Sequence, residues 1–188
     1  MNLPNKLTLL RVAMVPFFLL FLLVDAIPFH GFWALLIFAA ASITDALDGH
    51  IARSRNLITH FGKFLDPVAD KVLVFAAFIA FIEMGLASSV AVIIMMAREF
   101  LVSSMRMVAA GKGTVVAAGS LGKLKTAFSM VSIVAVLLML GLEDLGVLGS
   151  GFPLIAVSQV LVWICGVLTV ISGVEYLWQN RKQFSESK

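Results

Sequence analysis

The sequence has a single cysteine, Cys165, so no intrachain disulfide can form. It lies in an apolar run and says nothing about redox compartment. No Cys or His residues stand at the spacing a zinc site needs. Charge is scarce as well: of 188 residues 13% are charged and 61% hydrophobic, with a mean hydropathy of +1.04. That is too apolar for a water-soluble chain of this length and predicts an integral membrane protein. No Pro-, Gly- or Ser-rich linker divides the chain, so residues 1–188 are read as a single membrane-embedded domain. There is also no block of basic residues. The net charge of +3 and pI near 9.2 come from Lys and Arg placed between hydrophobic runs. This pattern fits anionic lipid head groups and phosphorylated substrates rather than nucleic acid.

What is present is a series of apolar runs that predicts six transmembrane helices. Residues 1–10 carry Asn2, Pro4, Asn5, Lys6 and Thr8 among leucines and read as an interfacial lead-in. A first span follows to about Val24. Lys6 and Arg11 ahead of an apolar run also resemble a cleavable leader, but the run makes topological sense as a span. The turn at 25–31 leads to span two from Phe32, and span three starts near Phe61 and ends near Glu83. Span four reaches about Met107, span five opens at Lys123 and ends near Gly141, and span six covers about Pro153 to Trp178. A polar tail, 179–188, closes the chain. Six spans put both termini on one side. All fourteen Lys and Arg fall on that side, and by the positive-inside rule it is the cytoplasm.

Within this apolar frame the stretch from Asp45 to Asp70 stands apart, because it holds Asp45, Asp48, Asp66 and Asp70. An acid near a helix centre costs roughly 2.5 to 3.5 kcal/mol on insertion scales, so four of them call for a compensating partner. On a helix Asp45, Asp48, Gly49 and Ala52 lie at i, i+3, i+4 and i+7, which groups two acids with two minimal side chains on one face. Gly62, Asp66 and Asp70 follow at i, i+4 and i+8 on the next helix. Four hard oxygen donors suit Mg2+ or Mn2+, ions that commonly bridge to substrate phosphates. Helix caps and surface ion pairs would account for any one of these acids, but not readily for all four at this spacing. Packing alone would account for the small residues, which let membrane helices approach closely.

The spacing D-x2-D-G-x2-A-R-x8-G-x3-D-x3-D resembles, position for position, the signature of the CDP-alcohol phosphotransferases. The segments N-L-P-N-K-L-T-L-L-R, F-G-K-F-L-D-P-V-A-D-K, A-R-E-F and G-K-L-K-T resemble the bacterial branch whose acceptor is glycerol 3-phosphate. Beyond about Phe128 the likeness is in hydropathy only. The resemblance implies an all-helical homodimer in a bacterial cell membrane. It also implies transfer of the phosphatidyl group from CDP-diacylglycerol to glycerol 3-phosphate, giving phosphatidylglycerophosphate and CMP. Two divalent ions are implied, with Asp45 and Asp66 bridging, Asp48 on one ion, and Asp70 on the other and acting as general base. Gly49, Arg53 and Gly62, with Thr59, are implied to line the CDP site. The same resemblance gives the face of Asn5, Thr8 and Arg11 a part in holding nucleotide or phosphates, where capping is the plain alternative.

A glycerol phosphate needs a cationic pocket, and Arg98, Arg106, Lys123 and Lys125 lie on the expected side, although each also serves as a topology signal. Two other readings stay open at this point. One keeps the chemistry and changes the acceptor to inositol phosphate, serine or phosphatidylglycerol. The other is a divalent-cation transporter using the same acids, which predicts acids continuing across several spans. His30, His50 and His60 have no matching partners and receive no role.

Overall fold

Long apolar runs become helices because, in lipid, each backbone N–H and C=O must be satisfied within its own segment, and α1 stays helical even with Pro16 in its interior. The computed structural model describes the backbone of residues 3–54, 60–111, 119–149 and 151–185. Within these, the side chains of 3–6, 45–54, 60–67, 70, 110 and 182–185 are not described. The described elements are all helical: α1 (Leu3–Leu23), α2 (His30–Ser54), α3 (His60–Glu83), α4 (Ser89–Gly111), α5 (Ser120–Asp144) and α6 (Leu154–Ser185). Large apolar side chains stand exposed along every one of them, among them Phe17, Leu36, Ile79, Ile93, Val131 and Trp163. Such a surface suits acyl chains rather than water. Among the described residues, Ser120–Asp144 and Leu154–Arg181 are each long and apolar enough to cross a membrane. Leu7–Leu23 and His30–Thr44 are shorter apolar stretches.

α1 runs unbroken from Leu3 through the residues of the expected lead-in into the apolar run. Span five begins three residues before Lys123, at Ser120, and reaches Asp144. The polar tail continues α6 as far as Ser185. Its residues find partners within one turn, as Gln179 Nε2 donates to Glu175 Oε1 (3.0 Å) and Asn180 Nδ2 to the Tyr176 carbonyl (2.8 Å). The Arg181 guanidinium lies 4.5 Å from the centre of the Trp178 ring. These side chains supply what burial supplies elsewhere.

The helices gather into two compact units. The first comprises residues 1–84 with 133–154, and the second comprises 85–132 with 155–188. In the first unit α1 packs against both α2 and α3. Its buried stripe runs Thr8, Arg11, Val15, Phe18, Leu22, a helical repeat of three and four. Phe18 meets Phe38 at 5.8 Å between ring centres, and Phe21 meets Trp33 at 6.3 Å. Gly31 at the start of α2 abuts α5, where an added Cβ would stand 2.7 Å from Leu140 Cβ and 2.8 Å from the Gly141 nitrogen. Asp144 Oδ2 accepts a hydrogen bond from the Gly31 N–H (2.8 Å), and its Oδ1 faces His30 Nε2 at 3.3 Å. Just past α5, Gly146 takes φ +68°. The Gly146 N–H reaches the Glu143 carbonyl and the Val147 N–H the Leu142 carbonyl, closing the helix as a Schellman motif.

The second unit holds α4, the first half of α5 and nearly all of α6. Gly166 of α6 sits on Ala91 of α4, and Cys165 Sγ donates to Ser132 Oγ at 3.4 Å. Ser129, Ser158, Thr169 and Ser172 are buried with them. Small and hydroxylated residues are the usual means of close helix contact in lipid.

Candidate active site

Continuous helices turn the sequence spacing of the acids into geometry. α2 is unbroken through Asp45, Asp48, Gly49, Ala52 and Arg53, and α3 through Gly62, Asp66 and Asp70. The i, i+3, i+4, i+7 and i, i+4, i+8 relations are therefore helical-face relations, with two carboxylate-bearing positions on each helix. The side chains of all four aspartates, and of Asn5, Gly49, Arg53 and Gly62, lie outside the described residues, as does Thr59 altogether. Just before Asp45, Ser42 Oγ donates to the Phe38 carbonyl (2.8 Å) and Thr44 Oγ1 to the Ala41 carbonyl (2.7 Å). Both hydroxyls are spent on their own helix.

α1 lies against both aspartate-bearing helices and brings Thr8 and Arg11 with it, 0% and 1% exposed. The pairs Phe18 with Phe38 and Phe21 with Trp33 define an antiparallel register. A fully buried guanidinium is the costliest side chain in this packing, and it sits on the stripe that faces the acid-bearing helices.

The second unit carries a cationic cluster. Glu99 Oε1 accepts from Arg98 Nη1 at 2.6 Å and from Lys125 Nζ at 2.5 Å, with all three side chains largely buried. Arg98 runs over bare backbone at Gly173, where a Cβ would stand 3.0 Å from its Cγ. One turn further along α6, the ring of Tyr176 takes the Arg106 guanidinium at 5.4 Å from its centre. Arg98 Nε, Arg106 Nε and Tyr176 Oη are buried without a hydrogen-bond partner among the described residues. Lys123, two positions before Lys125, points the other way and is exposed. Of the four cations expected from sequence, Arg98 and Lys125 are brought together. Arg106 joins Tyr176, and Lys123 stands outside the group. The sequence reading includes Glu99 in A-R-E-F but assigns no role to it, nor to Gly173 or Tyr176. Glu99 left a signal, being an acid within an apolar span, and Tyr176 is the one tyrosine of the chain.

Residues 1–171 match the sequence model of the family described as CDP-alcohol phosphatidyltransferase. The chain belongs to that family. CDP-alcohol phosphatidyltransferase relatives similar to it include a Bacillus subtilis (strain 168) protein, 40% identical over 190 residues that cover 95% of each chain. A Rickettsia bellii protein is 37% identical over 97% of each chain. An Escherichia coli K12 protein is 38% identical over 94% of this chain and 93% of its own. All three bear the name CDP-diacylglycerol--glycerol-3-phosphate 3-phosphatidyltransferase. The family match runs through both compact units, from the face of Thr8 and Arg11 to Thr169, and stops two residues short of Gly173.

Proposed function

We propose that this chain transfers the phosphatidyl group of CDP-diacylglycerol to glycerol 3-phosphate, forming phosphatidylglycerophosphate and CMP. The observation that carries the reading is near full-length similarity to proteins of that name, with both aspartate pairs falling at helical spacing on unbroken helices. A hydroxyl oxygen of the acceptor attacks the phosphorus that bears diacylglycerol. The bond from that phosphorus to the CMP phosphate oxygen breaks, and CMP leaves with the electron pair. Asp70 accepts the hydroxyl proton, the task of a base within hydrogen-bond reach of the nucleophile.

Asp45, Asp48, Asp66 and Asp70 form an all-carboxylate donor set that fits two Mg2+ or Mn2+ ions. Held by these four aspartates, such ions would offset the pyrophosphate charge and the charge that develops on the leaving phosphate. Around them Asn5, Thr8, Gly49, Arg53, Thr59 and Gly62 hold the CDP moiety. Arg53 is suited to bidentate phosphate contact, and the glycines give a ligand room to approach. Arg98, Arg106 and Lys125 hold the acceptor phosphate, with the exposed Lys123 contributing long-range attraction.

The enzyme works as a homodimer in a bacterial membrane, with its termini and active site facing the cytoplasm. That orientation rests on the one-sided placement of Lys and Arg. The test is CMP release by purified protein with CDP-diacylglycerol and Mg2+, supplied in turn with glycerol 3-phosphate, serine, inositol phosphate and phosphatidylglycerol. Release with glycerol 3-phosphate alone supports the assignment. Release with a different acceptor keeps the chemistry and replaces the substrate.

A further inference from the structure

We infer that Glu99 and Gly173 are positioning residues that hold Arg98 and Lys125 ready for the phosphate of the acceptor. The inference rests on the reading above, that this cluster serves a phosphorylated acceptor. A single carboxylate oxygen, Glu99 Oε1, accepts from both cations, at 2.6 and 2.5 Å. A guanidinium has five N–H donors and an ammonium three. Glu99 therefore holds the two heads against each other through one donor of each, and Arg98 Nε has no hydrogen-bond partner among the described residues.

Charge supports the same conclusion. Two buried cations share one carboxylate, and no other acidic side chain pairs with Arg98 or Lys125 among the described residues. Glu175, on α6, accepts from Gln179 and borders Gly119, and no salt bridge joins it to Arg98 or Lys125 among the described residues. Among the described residues the group thus carries one more positive than negative charge in a largely buried place, a state that an anion would relieve. A phosphate monoester carries about −1.5 to −2 at neutral pH and has three acceptor oxygens, which suits both the charge and the free donors. Serine as acceptor would bring no net charge.

Gly173 supplies the room. With its Cγ 3.0 Å and its Nε 3.5 Å from the place where a Cβ would stand, the Arg98 stem lies tight against bare backbone on α6, and a side chain there would push it aside. The family match ends at residue 171, so the notch lies beyond the part of the chain that the match covers.

Two roles for Glu99 predict opposite signs. If it only offsets charge, Glu99→Gln strengthens the pull on an anion and lowers the KM for glycerol 3-phosphate. If it positions the cations, the same change lets them separate and raises that KM. The positioning role predicts a rise of about tenfold to a hundredfold, the scale of losing hydrogen bonds to charged groups. The KM for CDP-diacylglycerol should stay within about twofold, and Glu99→Asp should recover part of the loss. Gly173→Ala should raise the same KM, and it carries the test if Glu99→Gln does not fold, as judged by its melting in detergent. A KM for glycerol 3-phosphate that falls or stays level in a folded variant overturns the positioning role and leaves the proposed function standing. A wild-type enzyme that ignores glycerol 3-phosphate overturns both.

Discussion

Asp144 illustrates how much of this molecule depends on single side chains far apart in sequence. One of its oxygens accepts from the Gly31 N–H and the other faces His30, fastening the start of α2 to the end of α5 across 113 positions. Replacing it with Ala removes an acceptor for a helix-start N–H, and the expected loss is about 0.5 to 2 kcal/mol. A lower melting temperature in detergent is the check. Gly31→Ala should cost about 1 to 3 kcal/mol, because the new methyl meets backbone rather than a movable side-chain tip. At the same scale Cys165, 0% exposed and bonded to Ser132, should resist a water-soluble maleimide until the protein is denatured. None of these contacts could be read from the sequence. Sequence assigns His30 no role because its carboxylate partner lies on another helix, and no periodicity links the two. The acids of α2 and α3 were legible for the converse reason: their relation is local, and helical spacing alone puts each pair on a face.

At the scale of the helix, patterning told most where side chains alternate between polar and apolar, and least at the ends. α5 begins at Ser120, so Lys123 and Lys125 lie within it on different faces, and only Lys125 meets Glu99. Sequence could count both lysines on one side of the membrane, but it could not choose between them until the start of the helix was known. The expectation is that Lys125→Met raises the KM for glycerol 3-phosphate by about tenfold or more, and clearly more than Lys123→Met does. Equal effects from the two changes would contradict the separation of their faces. α6 likewise outlasts its apolar part, and Gln179 and Asn180 beyond it bond to residues one turn back. Its glycine at 173 was invisible as a feature until Arg98 was seen to cross it.

For the whole molecule, hydropathy sufficed for an all-helical membrane protein of six helices, and the spacing of four acids with two glycines led to the family. The grouping into two compact units was not legible, since α5 passes through both and no change of composition marks the boundary. At this scale divalent-ion dependence belongs to the account: chelation should stop CMP release, and Mg2+ or Mn2+ should restore it. The most direct measurement is CMP release from CDP-diacylglycerol and glycerol 3-phosphate by purified wild-type protein beside Asp70→Asn, with CDP-diacylglycerol binding followed in both. Release by the wild type and a fall of about a hundredfold or more in the variant are expected, the scale of losing a general base, with the lipid still bound. A folded Asp70→Asn protein releasing CMP at the wild-type rate would contradict it.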